Sequence, residues 1–279
     1  MKLKYWLYEK YGFLNRYLIK PVELLWWSQR ERTQVFPNFM CVAAQKCGTT
    51  WLWENLQYHP DIYLPDNRYL HYWNHHFNRP LGHYAQYFSM GRTQQKGEVM
   101  PDYGLMEESR IRFIHRLLPD LKLIFIFRNP IDRAWSHARM ALVQREQRSF
   151  SSIPKADFIQ HFRSELSQTK GDYLTMLKKW QARFPKEAIF IGYFEELSEA
   201  PEQLLNRLFS FLEIRRIDDF SDFPIREKIN LGAKYPIPDE LKVVLEEMYR
   251  DHIEELYQEL GAPVQSWRIS KKQLGQRSA

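Results

Sequence analysis

The chain has 279 residues, 44% hydrophobic and 27% charged, with 40 Lys and Arg against 34 Asp and Glu for a net charge of +6. That length and balance fit one large α/β domain and exclude a disordered or fibrous chain. The charge suits an anionic ligand but is too mild to argue by itself for nucleic acid. The only two cysteines, Cys41 and Cys47, exclude a disulfide framework and a CxxC pair.

Residues 1–36 are aromatic and basic, and Pro21 divides them into two predicted helices. They read as a helical extension covering the domain. Weak membrane-surface contact is the alternative, since Trp with Lys and Arg is an interfacial composition. No apolar run approaches about 18 residues and no secretory signal opens the chain, so a cytoplasmic protein without a transmembrane segment is expected.

Phe39 to Ala44 is an apolar strand that passes through Gln45-Lys46-Cys47-Gly48-Thr49-Thr50 into a helix at Trp51. Strand, tight turn and helix N-terminus make an anion site, because the first helical N–H groups are unpaired and the dipole end is positive. Gly48 lets the backbone approach the anion closely, and Lys46 adds a mobile charge. A Walker A loop needs Gly, four residues, then Gly-Lys and Ser/Thr. Here Lys46 precedes Gly48 by two, at the near side of the turn, within reach of a bridging or leaving-group oxygen.

Residues 69–90 are dense in aromatics and histidines. His71 and His75 have helical metal-pair spacing, but no carboxylate or cysteine accompanies them at ligand spacing, so no metal is expected. Glu98 lies in a short strand-like piece stopped by Pro101, with Asp102 and Tyr103 following and a helix predicted over about 105–117. Leu121 to Phe127 is the clearest buried strand and ends at Arg128-Asn129-Pro130. A nucleotidase would carry an Asp for Mg²⁺ at such a strand tip. Arg128 makes it an anion ligand instead, and Ser136, about two helical turns on, shares its face. Helices are predicted over about 156–167, 171–184, 198–212 and 239–260, with a strand over 188–193. A basic flap spans 220–236, and a mobile basic tail covers 266–279.

Strands alternating with helices predict an α/β fold: a single-domain parallel sheet flanked by helices, over residues 37–265. Ligands bind outside the carboxyl ends of such strands. The Lys46 loop and the Arg128 tip are both carboxyl ends. If their strands are neighbours, one ligand with two anionic ends touches both.

On these motifs the chain resembles the PAPS-dependent sulfotransferases, in motif style closest to the heparan sulfate and bacterial types. Lys46-Cys-Gly-Thr-Thr-Trp51 is similar to the family's 5′-phosphosulfate loop, and Arg128-Asn-Pro-Ile-Asp-Arg-Ala-Trp-Ser136 to its 3′-phosphate motif. Glu98-Val-Met-Pro-Asp-Tyr103 resembles the segment that carries the glutamate base in the glycan enzymes. The resemblance implies a P-loop-NTPase-like sulfotransferase fold, PAPS as donor, PAP as product and no metal. It gives Lys46 the charge on the leaving phosphate, and Cys47, Gly48, Thr49 and Thr50 the 5′ end of the donor. Trp51 would stack on adenine, Arg128 and Ser136 would hold the 3′-phosphate, and Glu98 would act as general base.

Two departures stand out. Leu231-Gly232-Ala233-Lys234 replaces the family's Lys-Gly at the C-terminal flap, which leaves Gly232, Ala233 and Lys234 as the candidates there. Arg68-Tyr69 replaces the Lys-Glu of many glycan enzymes, which points away from a glycan. His71, Tyr72, Trp73, Asp102, Tyr103 and Tyr173 are the candidate acceptor residues. The expected acceptor is a small polar molecule offering a hydroxyl or an amine or guanidinium, as in natural-product tailoring. A glycan hydroxyl is the alternative. A P-loop kinase and a non-enzymatic anion-binding module stand as readings from other classes, and no nucleic-acid partner is expected.

Overall fold

The computed structural model describes residues 20–28, 35–42, 44–91, 94–227 and 235–269. Among them are five strands: β1 (Phe39–Cys41), β2 (Ile62–Tyr63), β3 (Gln95–Val99), β4 (Lys122–Phe127) and β5 (Ile189–Tyr193). They form one sheet in the order β2-β3-β1-β4-β5, and every pairing is parallel. β1 and the last five residues of β4 are wholly buried, which is why they read as unbroken apolar runs rather than alternating ones.

The chain starts the sheet in its middle. From β1 it passes to one edge for β2 and returns beside β1 for β3, then crosses to the other side for β4 and β5. Both flanks of β1 therefore belong to the reversal of strand order, where open α/β sheets bind ligands. Register completes the arrangement. Met40 is level with Glu98 on one side and with Leu123 on the other, so the segments after β1, β3 and β4 leave the same edge.

The flanking α-helices among the described residues are α1 (Lys20–Ser28), α2 (Thr49–Leu56), α3 (Leu81–Ala85), α4 (Glu108–Leu117), α5 (Pro130–Arg139), α6 (Lys155–Arg163), α7 (Glu165–Thr169), α8 (Tyr173–Gln181), α9 (Glu196–Glu199), α10 (Pro201–Phe211) and α11 (Asp239–Leu260). Pro21 sits in the first turn of α1, and the helix expected before it lies outside the described residues. A locked φ and a missing N–H suit that position. The helix expected over 156–167 is broken at Ser164, whose backbone is extended and whose side chain accepts from Ser167 N to cap α7. α5 continues into a π-helical turn, Met140–Arg145, that apolar periodicity did not foretell.

The described part of the N-terminal extension packs on the domain. Lys20 is buried, and its ammonium donates to Glu23, to the Tyr72 hydroxyl and to the Arg79 carbonyl. Of the tail expected over 266–279, residues 270–279 lie outside the described residues. Trp267 is buried, and its indole N–H donates to Glu195 at 3.0 Å. Arg268 pairs with Glu254. Among the described residues, no helix is long and apolar enough to cross a membrane.

Candidate active site

The turn from β1 to α2 is held in an unusual backbone shape. Lys46 has φ 73° and Gly48 has φ 88°, both in the left-handed region that suits glycine and strains lysine. A Cβ at Gly48 would also lie 2.3 Å from the Leu197 side chain. Gly48 is the N-cap of α2, and no side chain caps that helix. Gly48, Thr49 and Thr50 line a cavity of about 1550 Å³ at its N-terminus. Lys46 lines it too, and its ammonium pKa is lowered, first by burial and then by Arg128, Arg139 and Arg145.

Arg128 occupies the tip of β4, as the sequence predicts. Its Nη1 donates to the Lys46 carbonyl at 3.2 Å, and its guanidinium lies 4.0 Å from the centre of the Phe194 ring. Its Nε is buried without a partner. An uncapped helix N-terminus and an orphaned guanidinium donor on one cavity fit an anionic ligand. Asn129 caps α5 by accepting from Ile131 N. One face of α5 brings Ser136 and Arg139 to the cavity, and the π turn adds Arg145. The sequence reading names neither arginine as a site residue, and takes Arg145 only as the start of a charged loop over the site. Arg139 was legible, three residues beyond Ser136 on the same helical face. Arg145 belongs to the π turn that prolongs α5 and not to the expected loop.

Two indoles fasten the segment opposite. Trp51 donates to the Ile225 carbonyl and Trp135 to the Tyr235 carbonyl, each at 2.9 Å. Tyr235 also stacks on Phe150 at 4.1 Å. Gly232, Ala233 and Lys234, expected to reach the 3′-phosphate, lie outside the described residues.

His71 and Asp102 both line the cavity. Asp102 is paired with Lys170 at 3.4 Å, and Lys170 also donates to the Gln45 side chain at 2.7 Å. Arg68 donates to Thr50 Oγ1 at 2.7 Å, which ties the stretch before His71 to α2. The other expected acceptor residues do not reach the cavity. Tyr72, Trp73, Tyr103 and Tyr173 are core residues behind its wall. Tyr72 stacks on Tyr84, and Tyr173 stacks on Phe127. Cys47, expected at the donor, is buried with its sulfur 3.4 Å from the Tyr173 hydroxyl.

Glu98, expected as the base, also lies off the cavity lining. It is 2% exposed. Tyr84 donates to one carboxylate oxygen at 2.5 Å and Tyr103 to the other at 2.7 Å. Burial pushes its pKa up to about 7, against the lowering effect of those two bonds. The reason lies in the register. Glu98 is level with Met40 inside the sheet, whereas the cavity opens at Met100, past the end of β3. Glu98 therefore sits behind the cavity wall rather than on it. Among the described residues, no group of three or more His, Cys, Asp or Glu could hold a metal ion.

A family model described as the sulfotransferase family matches residues 77–219. A bifunctional heparan sulfate N-deacetylase/N-sulfotransferase of Drosophila melanogaster is 25% identical over 291 residues, covering 86% of this chain and 28% of that protein. The human heparan sulfate glucosamine 3-O-sulfotransferase 6 is 28% identical over 251 residues, covering 81% of this chain and 72% of that protein. The chain thus spans little more than a quarter of the first relative and most of the second. A solved sulfotransferase from Alicyclobacillus acidocaldarius superposes with a TM-score of 0.66 at 24% identity, over 84% of this chain and 99% of that one, and shares the fold.

Proposed function

This chain belongs to the sulfotransferase family, and on that premise we propose that it transfers a sulfuryl group from PAPS to a hydroxyl of a small polar acceptor, releasing PAP. One observation carries the reading: Lys46, the uncapped N-terminus of α2, Arg128 and Ser136 all line one cavity. The donor is a nucleotide with two anionic ends, and it supplies an activated sulfuryl group whose leaving group is a phosphate. The residues fit it. Thr49, Thr50 and the first amides of α2 would hold its 5′ end. Arg128, through its orphaned Nε, and Ser136 would hold its 3′-phosphate. Trp51 would stack on the base, its ring orientation fixed by the bond to Ile225. Lys46 would stabilise charge gathering on the leaving oxygen.

The acceptor side favours a neutral hydroxyl over an ammonium or guanidinium. Asp102 is the lining carboxylate on that side, and it is already paired with Lys170. A saccharide hydroxyl is the second reading, favoured by the two relatives named for heparan sulfate. The test is a mass-shift screen of PAPS turnover against alcohols, phenols, amines and saccharides, with calorimetry of PAP binding. Transfer to a hydroxyl, with one saturable PAP site and no loss of rate in EDTA, is the expected result. A Mg²⁺-dependent transfer from ATP would favour a kinase. Absence of saturable PAP binding overturns the reading.

A further inference from the structure

We propose that His71 is the general base that takes the acceptor's proton, an inference that rests on the sulfuryl-transfer reading. With Glu98 sealed beneath two tyrosine hydroxyls, the proton needs another destination inside the cavity. Four carboxylates line it: Asp102, Asp132, Glu199 and Glu227. Asp102 is bound to Lys170. Asp132 lies in the first turn of α5 after Arg128, Glu199 at the end of α9, and Glu227 two residues past the carbonyl that holds Trp51. Those three belong to the donor side.

His71 stands on the acceptor side and is not committed elsewhere. Its Nδ1 is buried without a hydrogen-bond partner. The Tyr69 ring is centred 6.1 Å away and the His75 ring 5.0 Å away. The backbone at His71 is left-handed, with φ 51°, a cost accepted mainly where surroundings over-determine it. Here they do. The His71 carbonyl accepts from both His75 N and His76 N, closing the turn that follows. Three residues earlier, Arg68 is fastened to Thr50 on the donor helix. Two residues later, the backbone N–H of Trp73 donates to the Tyr103 hydroxyl, which in turn donates to Glu98. His71 is thus an unsatisfied imidazole on a turn pinned from both sides, and Glu98 is one of the pins.

In the transfer, a ring nitrogen of His71 accepts the proton of the acceptor hydroxyl as the new oxygen–sulfur bond forms. The bond from sulfur to the bridging phosphate oxygen breaks, and its electron pair leaves on that oxygen beside Lys46. The imidazolium then releases its proton to solvent, so charge and atoms balance.

His71→Asn and His71→Gly test the assignment, because Asn and Gly both tolerate a left-handed backbone. Each is compared with wild type for PAPS turnover on the hydroxyl acceptors of the screen and, by calorimetry, for PAP affinity. The expected loss in kcat is about 100-fold or more, the range of a general base, with PAP affinity unchanged and the His71→Gly rate restored by added imidazole. If either variant keeps PAP affinity and more than about a tenth of wild-type kcat, a deficit too small for a general base, the proposal is overturned. Wild type that transfers to no acceptor and binds no PAP overturns the underlying reading, and this one with it. The two failures are distinguished by the wild-type measurement.

Discussion

Lys46 holds a charge where its surroundings oppose one. Burial comes first, and the nearby Arg128, Arg139 and Arg145 add to it. An anion entering the cavity reverses that opposition, so this ammonium gains most when negative charge develops beside it. Lys46→Ala should lower kcat about 100-fold or more, with a smaller effect on PAP affinity, as single-turnover rates and calorimetry would show. Glu98 makes a different prediction. Its folded pKa of about 7 lies above the ordinary 4.5, so its neutral form favours the fold. That stabilisation is complete below about pH 4.5, is lost as pH rises through 7, and amounts to about 3 kcal/mol. Glu98→Gln cannot ionise, so its melting temperature relative to wild type should rise between about pH 5 and pH 8. A pH-independent difference would show that Glu98 stays charged in the fold. The placement of Lys46 and Arg128 on the cavity was legible because each follows a buried strand within a short, ordered motif. The burial of Glu98 was not legible. A sequence tells that a residue is in a strand but not how far short of the cavity's edge it sits.

At the level of elements, the opposing segment is fastened by indoles on α2 and α5 at its two ends. Trp135→Phe keeps the ring and removes the N–H. It should cost about 1 kcal/mol, the net worth of one such bond, and weaken PAP by roughly five-fold if the Tyr235 end helps shape the site. Calorimetry checks this, and unchanged PAP affinity would detach that bond from donor binding. Element reading succeeded where caps and apolar stripes coincide. α11 spans Asp239–Leu260 as predicted, because Gly261, at φ 74°, ends it. It failed where a side chain or a helical irregularity overrides the pattern. Ser164 splits one helix by capping the next, and the π turn carries Arg145 to the cavity.

For the whole molecule, five cationic side chains among the described residues, Lys46, Arg128, Arg139, Arg145 and Arg226, line one cavity in a protein of modest net charge. PAP affinity should therefore fall as salt rises from about 50 mM to about 500 mM, with the slope reduced in Arg139→Ala, as titrations at each salt would show. The parallel α/β class was legible from alternation alone. Sheet order was not, since it depends on contacts such as Gly97 against Phe39, where a Cβ would lie 2.0 Å from the ring. That order also has a consequence for synthesis. Among the described strands the first to be synthesised is the central one, and Phe39 must wait for Gly97 on one side and Lys122 on the other. A nascent chain halted before Lys122 already carries the whole Lys46 loop, yet lacks the strand whose tip delivers Arg128 to it. Translation thus separates possession of the motif from possession of the site, and in the interval β1 lacks the partners that cover its edges.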